Sequence, residues 1–336
     1  MRMQRRDNQL QRSVLAVPAT SPHFFEKAAR GPADMVFLDL EDAVIPAEKA
    51  AARRHAVAAL NDIDWGRKRM SVRINGLDTP WGYRDLLEVA EQCPRLDMVL
   101  LPKANGGRDI EFVETMLNGI EAAVGRERPI GIEALIETAL GMVHVDEIAA
   151  ASPRLEALVF GVGDFIASMR TPDLVMGGFN PDYAVLTDGE PGGERRRSWG
   201  DQWHYALARV ATACRAHGLR PIDGPYTDFK DLEGFRMSAR RSRSLGFEGK
   251  WAIHPSQVPI ANEVHTPSAA AVAWATQTNE AMRAAAAAGR GAVKIDGGMR
   301  DIAHLKLAQN ILWREAAIRG SSGDDEDTAD AGSRRQ

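Results

Sequence analysis

Short apolar runs alternate with longer amphipathic stretches along most of this chain. The runs fall at 13–18, 35–40, 70–74, 98–102, 130–136, 157–162, 220–223 and 250–253. Brief apolar segments bounded by polar or turn residues read as strands buried on both faces, as in a parallel sheet. Helical spacing follows most of them, at 46–60, 80–91, 109–124 and 201–217. Eight strand-then-helix units predict an α/β fold, a TIM (β/α)8 barrel. The runner-up is an open doubly wound sheet, disfavoured because no Gly-x-Gly-x-x-Gly loop follows the first strand. From 170 to 200 the pattern dissolves into Gly, Pro and Asp, so a long functional loop or lid is expected there. After the eighth strand, 266–288 is Ala-rich and helical, 289–298 is a glycine-rich break, and 299–318 is helical again. The expected organisation is a flexible N-terminus over 1–11, a barrel over 12–265, a C-terminal helical lid over 266–319 and a disordered acidic tail over 320–336.

Composition narrows this picture modestly. The chain has 336 residues, 44% hydrophobic and 26% charged, enough for one large core with an appendage. A formal net charge of −4 argues against a nucleic-acid partner. Two cysteines, Cys93 and Cys214, give neither a disulfide framework nor a zinc pattern, which fits a reducing cytoplasm. The basic start lacks the apolar core of a secretory signal. No apolar run of about 18 residues exists, so no membrane span is expected.

The chemistry gathers where the strands end. Glu137 closes the fifth run and Asp164 lies just past the sixth, 27 residues later, one strand–helix unit apart. In a barrel this places two acids side by side on the catalytic rim. Two carboxylates completed by water suit a hard divalent cation such as Mg²⁺. Taken singly, each acid could instead be a surface group, or in the case of Asp164 a helix cap. The other strand ends carry Asp39, Glu41 and Asp42, then Arg73, then Lys103. Charged groups in so apolar a setting are costly unless paired or bound to something. Together they read as a metal- and anion-handling site for a small carboxylate substrate, where cation and arginine would stabilise an enolate oxygen.

At these residues the chain resembles a known family. The ordered motifs are Arg12-Ser-Val-Leu-Ala-Val-Pro18, Leu38-Asp-Leu-Glu-Asp-Ala-Val44, Asp64-Trp-Gly-Arg-Lys68, Ser71-Val-Arg-Ile-Asn-Gly-Leu-Asp-Thr-Pro80, Leu101-Pro-Lys103, Ile136-Glu-Thr-Ala139, Gly163-Asp164 and Gly249-Lys-Trp-Ala-Ile-His-Pro-Ser-Gln257. They resemble the citrate lyase β-subunit-like (HpcH/HpaI aldolase) family, and within it the L-malyl-CoA/β-methylmalyl-CoA lyases. The resemblance runs from residue 12 to about 310 and implies a barrel with a C-terminal lid, a homotrimer or homohexamer, Mg²⁺ or Mn²⁺, and a CoA-thioester substrate. It implies that Glu137 and Asp164 hold the metal and that Arg73 contacts the substrate carbonyl or enolate. It further implies that Asp296, in Lys294-Ile-Asp-Gly-Gly-Met299, is the base, donated by a neighbouring subunit; by itself Asp296 is an ordinary turn residue. Lys27, Ile253 and His254 match CoA-proximal positions. The loop after the first strand departs from the family: Ser21 stands where an arginine that helps bind CoA phosphates is often found, and Arg12 is a candidate to compensate.

The activity this implies is reversible carbon–carbon cleavage of (3S)-malyl-CoA or β-methylmalyl-CoA to glyoxylate plus acetyl-CoA or propionyl-CoA. A malyl-CoA thioesterase, a citramalyl- or citryl-CoA lyase, and a CoA-independent pyruvate-type class II aldolase are the alternatives.

Overall fold

Eight wholly or almost wholly buried strands close into a ring. The computed structural model describes residues 10–172, 176–178, 180–187, 189 and 193–333. The strands are β1 (Ser13–Pro18), β2 (Met35–Asp39), β3 (Arg69–Arg73), β4 (Met98–Leu101), β5 (Gly131–Ile136), β6 (Leu155–Phe160), β7 (Ala184–Thr187), β8 (Arg196–Trp199), β9 (Arg220–Asp223), β10 (Gly249–Ala252), β11 (Val293–Ile295) and β12 (Gly298–Arg300). Six neighbours follow in sequence from β1 to β6, then β9 and β10, and β10 pairs back onto β1. Every pairing in the ring is parallel. This is the predicted TIM barrel, with helices connecting its strands.

Side-chain alternation explains why the strands read as continuous apolar runs. Outward residues such as Leu15, Val36, Val72, Val99 and Leu158 pack under the helices. Inward residues such as Val14, Phe37, Leu100, Val159 and Trp251 fill the middle of the barrel. Both faces are buried, so no polar face survives in the sequence. Charged inward residues lie above and below this apolar waist. Below it, towards the strand N-termini, Glu133 is fully buried, with Arg69 and Arg220 nearby. Gln11 donates to Glu133 Oε1, whereas Oε2 has no partner among the described residues. Arg69 is tied to Glu156 at 2.6 Å. Burial raises the Glu133 pKa to about 7, against the opposing pull of Arg69 and Gln11.

Two elements depart from expectation. Within the irregular 170–200 stretch, β7 and β8 form an antiparallel hairpin, Ala184 opposite Trp199. The exposed Val185 and Leu186 belong to it. Arg195-Arg-Arg197 hid the second strand, because a solvated two-stranded ribbon needs no alternation against a core.

By internal packing the chain divides into Gln11–Glu263 and a second unit from Val264 onward. The second unit holds a helix at Ala269–Ala287, capped by Ser268 accepting from the Ala271 amide at 3.2 Å. It continues through the hairpin β11–β12 and a helix at Ile302–Ser333. That helix runs into the tail expected over 320–336, whose last three residues lie outside the described ones. Propagation from an existing helix needs no new nucleus, and no proline interrupts 302–333. The flexible N-terminus expected over 1–11 lies outside the described residues as far as residue 9; Gln11 is buried. Among the described residues, no helix is long and apolar enough to cross a membrane.

Candidate active site

The C-terminal ends of β2 to β6 bring the predicted charged residues together. Asp39 is the last residue of β2 and Arg73 the last of β3, and the register sets them directly opposite. The Arg73 guanidinium donates to both Asp39 oxygens, Nε to Oδ1 at 2.8 Å and Nη2 to Oδ2 at 2.7 Å. Its third nitrogen, Nη1, lies 2.8 Å from Glu41 Oε2. Such a fork fixes the plane of the guanidinium. Burial opposes the charge on Arg73, but Asp39 and Glu41 outweigh it and raise its pKa. The Arg73 cation also lies 5.8 Å from the Trp251 ring and 5.9 Å from that of Phe37, within cation–π range.

Glu137 follows β5 directly and is 2% exposed. The Lys103 amide donates to its Oε1 at 2.8 Å. A side chain at Gly161 would stand 2.4 Å from Glu137 Oε2, so the bare glycine backbone is what leaves this carboxylate room. Burial first, then the nearby Asp164, push the Glu137 pKa up to about 8. Asp164 lies in the first turn of the helix Val162–Met169. Burial and Asp42 raise its pKa against the pull of Lys103. For Asp42 burial pushes upward too, but Lys103 and Arg73 prevail and lower it.

Lys103 crosses this group. Its Nζ contacts Glu41 Oε1, lies 3.4 Å from both Asp42 oxygens and 3.8 Å from Asp164 Oδ1. A cleft of about 100 Å³ opens beside it, between 76–78 and 101–109.

The donor set fits a divalent cation. Glu137 is buried, lacks full compensation and lies close to a second carboxylate. That arrangement asks for positive charge. Among the described residues, no group of three or more His, Cys, Asp or Glu side chains forms a complete cage. Two carboxylates completed by water or substrate oxygens are the habit of Mg²⁺ rather than of zinc.

The remaining predicted residues are placed less uniformly. Lys27, on the helix Phe25–Arg30 after β1, is exposed, with Nζ 5.9 Å from the Phe24 ring. Ile253 and His254 follow β10, which pairs with β1, so these three share one sector of the rim. His254 caps the turn Pro255–Gln257 through the Ser256 amide and stacks on Phe229 at 4.9 Å. Arg12 is not brought to this rim. It precedes β1, at the N-terminal end of the barrel, where its side chain and amide hold Asp34 at 2.8–2.9 Å. Its guanidinium pairs with Asp34 there. Asp296 belongs to the second unit. There it occupies the β11–β12 turn at φ 48°, with a 73% exposed side chain near Gln277 and Arg300.

One supporting residue escaped the sequence reading. Lys49 is buried and donates at 2.8 Å to the carbonyls of Leu40 and Glu41, anchoring the loop that carries the acids. The available signal was its place on one helical stripe with Ala52, Arg53 and Ala56.

A closed (β/α)8 barrel with carboxylates and fixed cations at its strand C-termini defines a barrel enzyme. The chain belongs to the HpcH/HpaI aldolase/citrate lyase family, whose profile matches residues 12–255. It is 49% identical over 308 residues to the L-malyl-CoA/β-methylmalyl-CoA lyase of Cereibacter sphaeroides, covering 91% of this chain and 95% of that protein. A (3S)-malyl-CoA thioesterase of the same species is 34% identical over 307 residues, 91% of this chain and 95% of that one. Among solved structures, the CitE protein of Mycobacterium tuberculosis in complex with magnesium, acetoacetate and coenzyme A is similar, with a TM-score of 0.71. Its identity is 30%, over 91% of this chain and 98% of that chain.

Proposed function

We propose that this chain is a Mg²⁺- or Mn²⁺-dependent lyase that reversibly cleaves (3S)-malyl-CoA or β-methylmalyl-CoA to glyoxylate and acetyl-CoA or propionyl-CoA. The observation that carries this reading is Glu137, buried beside Asp164 and Arg73 on the strand C-terminal rim. The names of the relatives support the substrate class, and the magnesium and coenzyme A bound to the CitE protein support the metal and the thioester. When bound by Glu137 and Asp164, the divalent ion would supply Lewis-acid polarisation of a carbonyl oxygen.

The chain's own residues would do the rest. In the condensation direction Asp296 takes the proton from the thioester α-carbon. The enolate carbon then attacks the aldehyde carbon of glyoxylate, the new alkoxide takes a proton from solvent, and Asp296 releases its own to solvent. Cleavage runs the same steps backwards: the hydroxyl loses its proton, the carbon–carbon bond breaks, and Asp296 returns a proton to the α-carbon. A carboxylate is a weak base for such a carbon, so the enolate oxygen needs a fixed positive partner. Arg73 supplies it, already oriented by Asp39. Asp296 sits in an exposed turn of the second unit, which suits service to a neighbouring subunit's site in a homotrimer or homohexamer. Lys27, Ile253 and His254 mark the sector for the CoA moiety. A cytoplasmic location fits the thioester substrate.

A thioesterase on the same scaffold is the second reading, favoured by the thioesterase relative. Incubation with malyl-CoA, following glyoxylate and free CoA in parallel, separates the two. Glyoxylate with no free CoA supports the lyase, and free CoA with malate refutes it. Full activity after exhaustive EDTA treatment would sink the metal-dependent mechanism in either form.

A further inference from the structure

Lys103 makes a pattern of contacts that the proposed chemistry does not by itself require. It is one of three non-glycine residues among the described ones with positive φ, at 50°. L-residues avoid that region, and glycine is the unstrained choice there. A lysine at such a position is held by what its two ends do. Its amide donates to Glu137. Its ammonium reaches Glu41, Asp42 and Asp164. One residue therefore touches both carboxylates assigned to the divalent ion, the first through backbone and the second through charge. Arg73 cannot take over this duty, because its fork is spent on Asp39 and Glu41.

We infer that Lys103 is a built-in counter-ion for the metal carboxylates, a positioning residue that keeps the acid cluster assembled before the divalent ion arrives and opposes that ion's binding. The inference rests on the metal reading of Glu137 and Asp164 and deepens it. Without a cation, Asp42 and Asp164 would repel each other, and the ammonium lies within 4 Å of both. An ion entering between Glu137 and Asp164 must draw Asp164 away from Lys103 and tolerate a positive charge nearby. The lysine thus trades affinity for order.

The test compares wild type, Lys103→Met and Lys103→Arg as purified full-length chains stripped with EDTA. Methionine keeps the amide bond to Glu137 and approximates the volume while removing the charge. Calorimetric titration with Mn²⁺ alone is expected to show Lys103→Met binding roughly tenfold tighter than wild type, a unit charge removed at close range in a partly exposed setting. The gap should shrink at high salt. Lys103→Arg should stay near wild type. In thermal melts, Lys103→Met should unfold earlier than wild type without metal and recover with saturating Mn²⁺. A merely structural lysine would leave the same deficit with and without metal. Binding by Lys103→Met that is equal to or weaker than wild type overturns the inference. If methionine prevents folding, Lys103→Gly, which removes the charge and relieves the backbone, is titrated under the same criterion. Wild type failing to bind Mn²⁺ at all would instead refute the underlying metal reading.

Discussion

Glu133→Gln tests whether the floor of the barrel carries a carboxyl that ionises only at a cost. In the folded chain its pKa is raised from 4.5 to about 7 by burial. Between those values the folded state holds a proton that the unfolded state has released. Its contribution to stability is therefore intact below about pH 4.5 and is lost as the pH rises through about 7. At 1.36 kcal/mol per pKa unit the full loss is about 3 kcal/mol, most of which falls between pH 5 and pH 8. Glutamine mimics the neutral acid and removes the titration. Urea unfolding of both proteins, with EDTA present throughout, isolates this one group, because all other titrations cancel in the difference. Fluorescence of Trp251, which packs in the barrel interior, reports the relevant transition. Relative to wild type, the variant should gain roughly 2–3 kcal/mol on going from pH 5 to pH 8. A difference that stays flat to within about 0.5 kcal/mol over that range would mean that Glu133 ionises normally in the fold, and the argument from burial would fail.

The rim invites three further measurements. Gly161→Ala should weaken Mn²⁺ binding by roughly ten- to a hundredfold in calorimetry, because its methyl would lie 2.4 Å from Glu137 Oε2 and must turn that carboxylate aside. Arg73→Lys should keep metal binding but lower kcat at least roughly a hundredfold, since an ammonium cannot reproduce the planar fork on Asp39; an unchanged kcat would remove Arg73 from the chemistry. Asp296→Asn should abolish exchange of the acetyl-CoA methyl protons with deuterated solvent, seen by NMR, while calorimetric Mn²⁺ affinity stays at the wild-type value; persistent exchange would assign the base elsewhere.

The barrel was legible because its signal is redundant. Eight apolar runs, each buried on both faces, leave little else for the chain to build, and the rim acids and cations appear where those runs stop. Features held by local or long-range polar contacts were not. Arg12 looked available in sequence, since nothing along the chain announces that Asp34, 22 residues on, would hold it below the barrel. Lys49 looked like one more helix-surface lysine, because the carbonyls it serves come into reach only when the loop after β2 folds back. The β7–β8 ribbon has no core to imprint alternation on its sequence. Asp296 could be placed in a turn by its neighbour Gly297, and the turn is there; a base, however, is defined by what it faces, which no single position encodes.

The rim also sets an order of events. Five carboxylates, Asp39, Glu41, Asp42, Glu137 and Asp164, gather around two cations, Arg73 and Lys103, a formal excess of three negative charges. A carboxylate such as glyoxylate approaching this field is turned away, whereas a dication is drawn in and leaves the field close to neutral. In steady-state kinetics this is compulsory ordered addition. Metal would behave as the leading reactant, raising metal would lower the apparent KM for glyoxylate, and excess glyoxylate would not block entry of the ion.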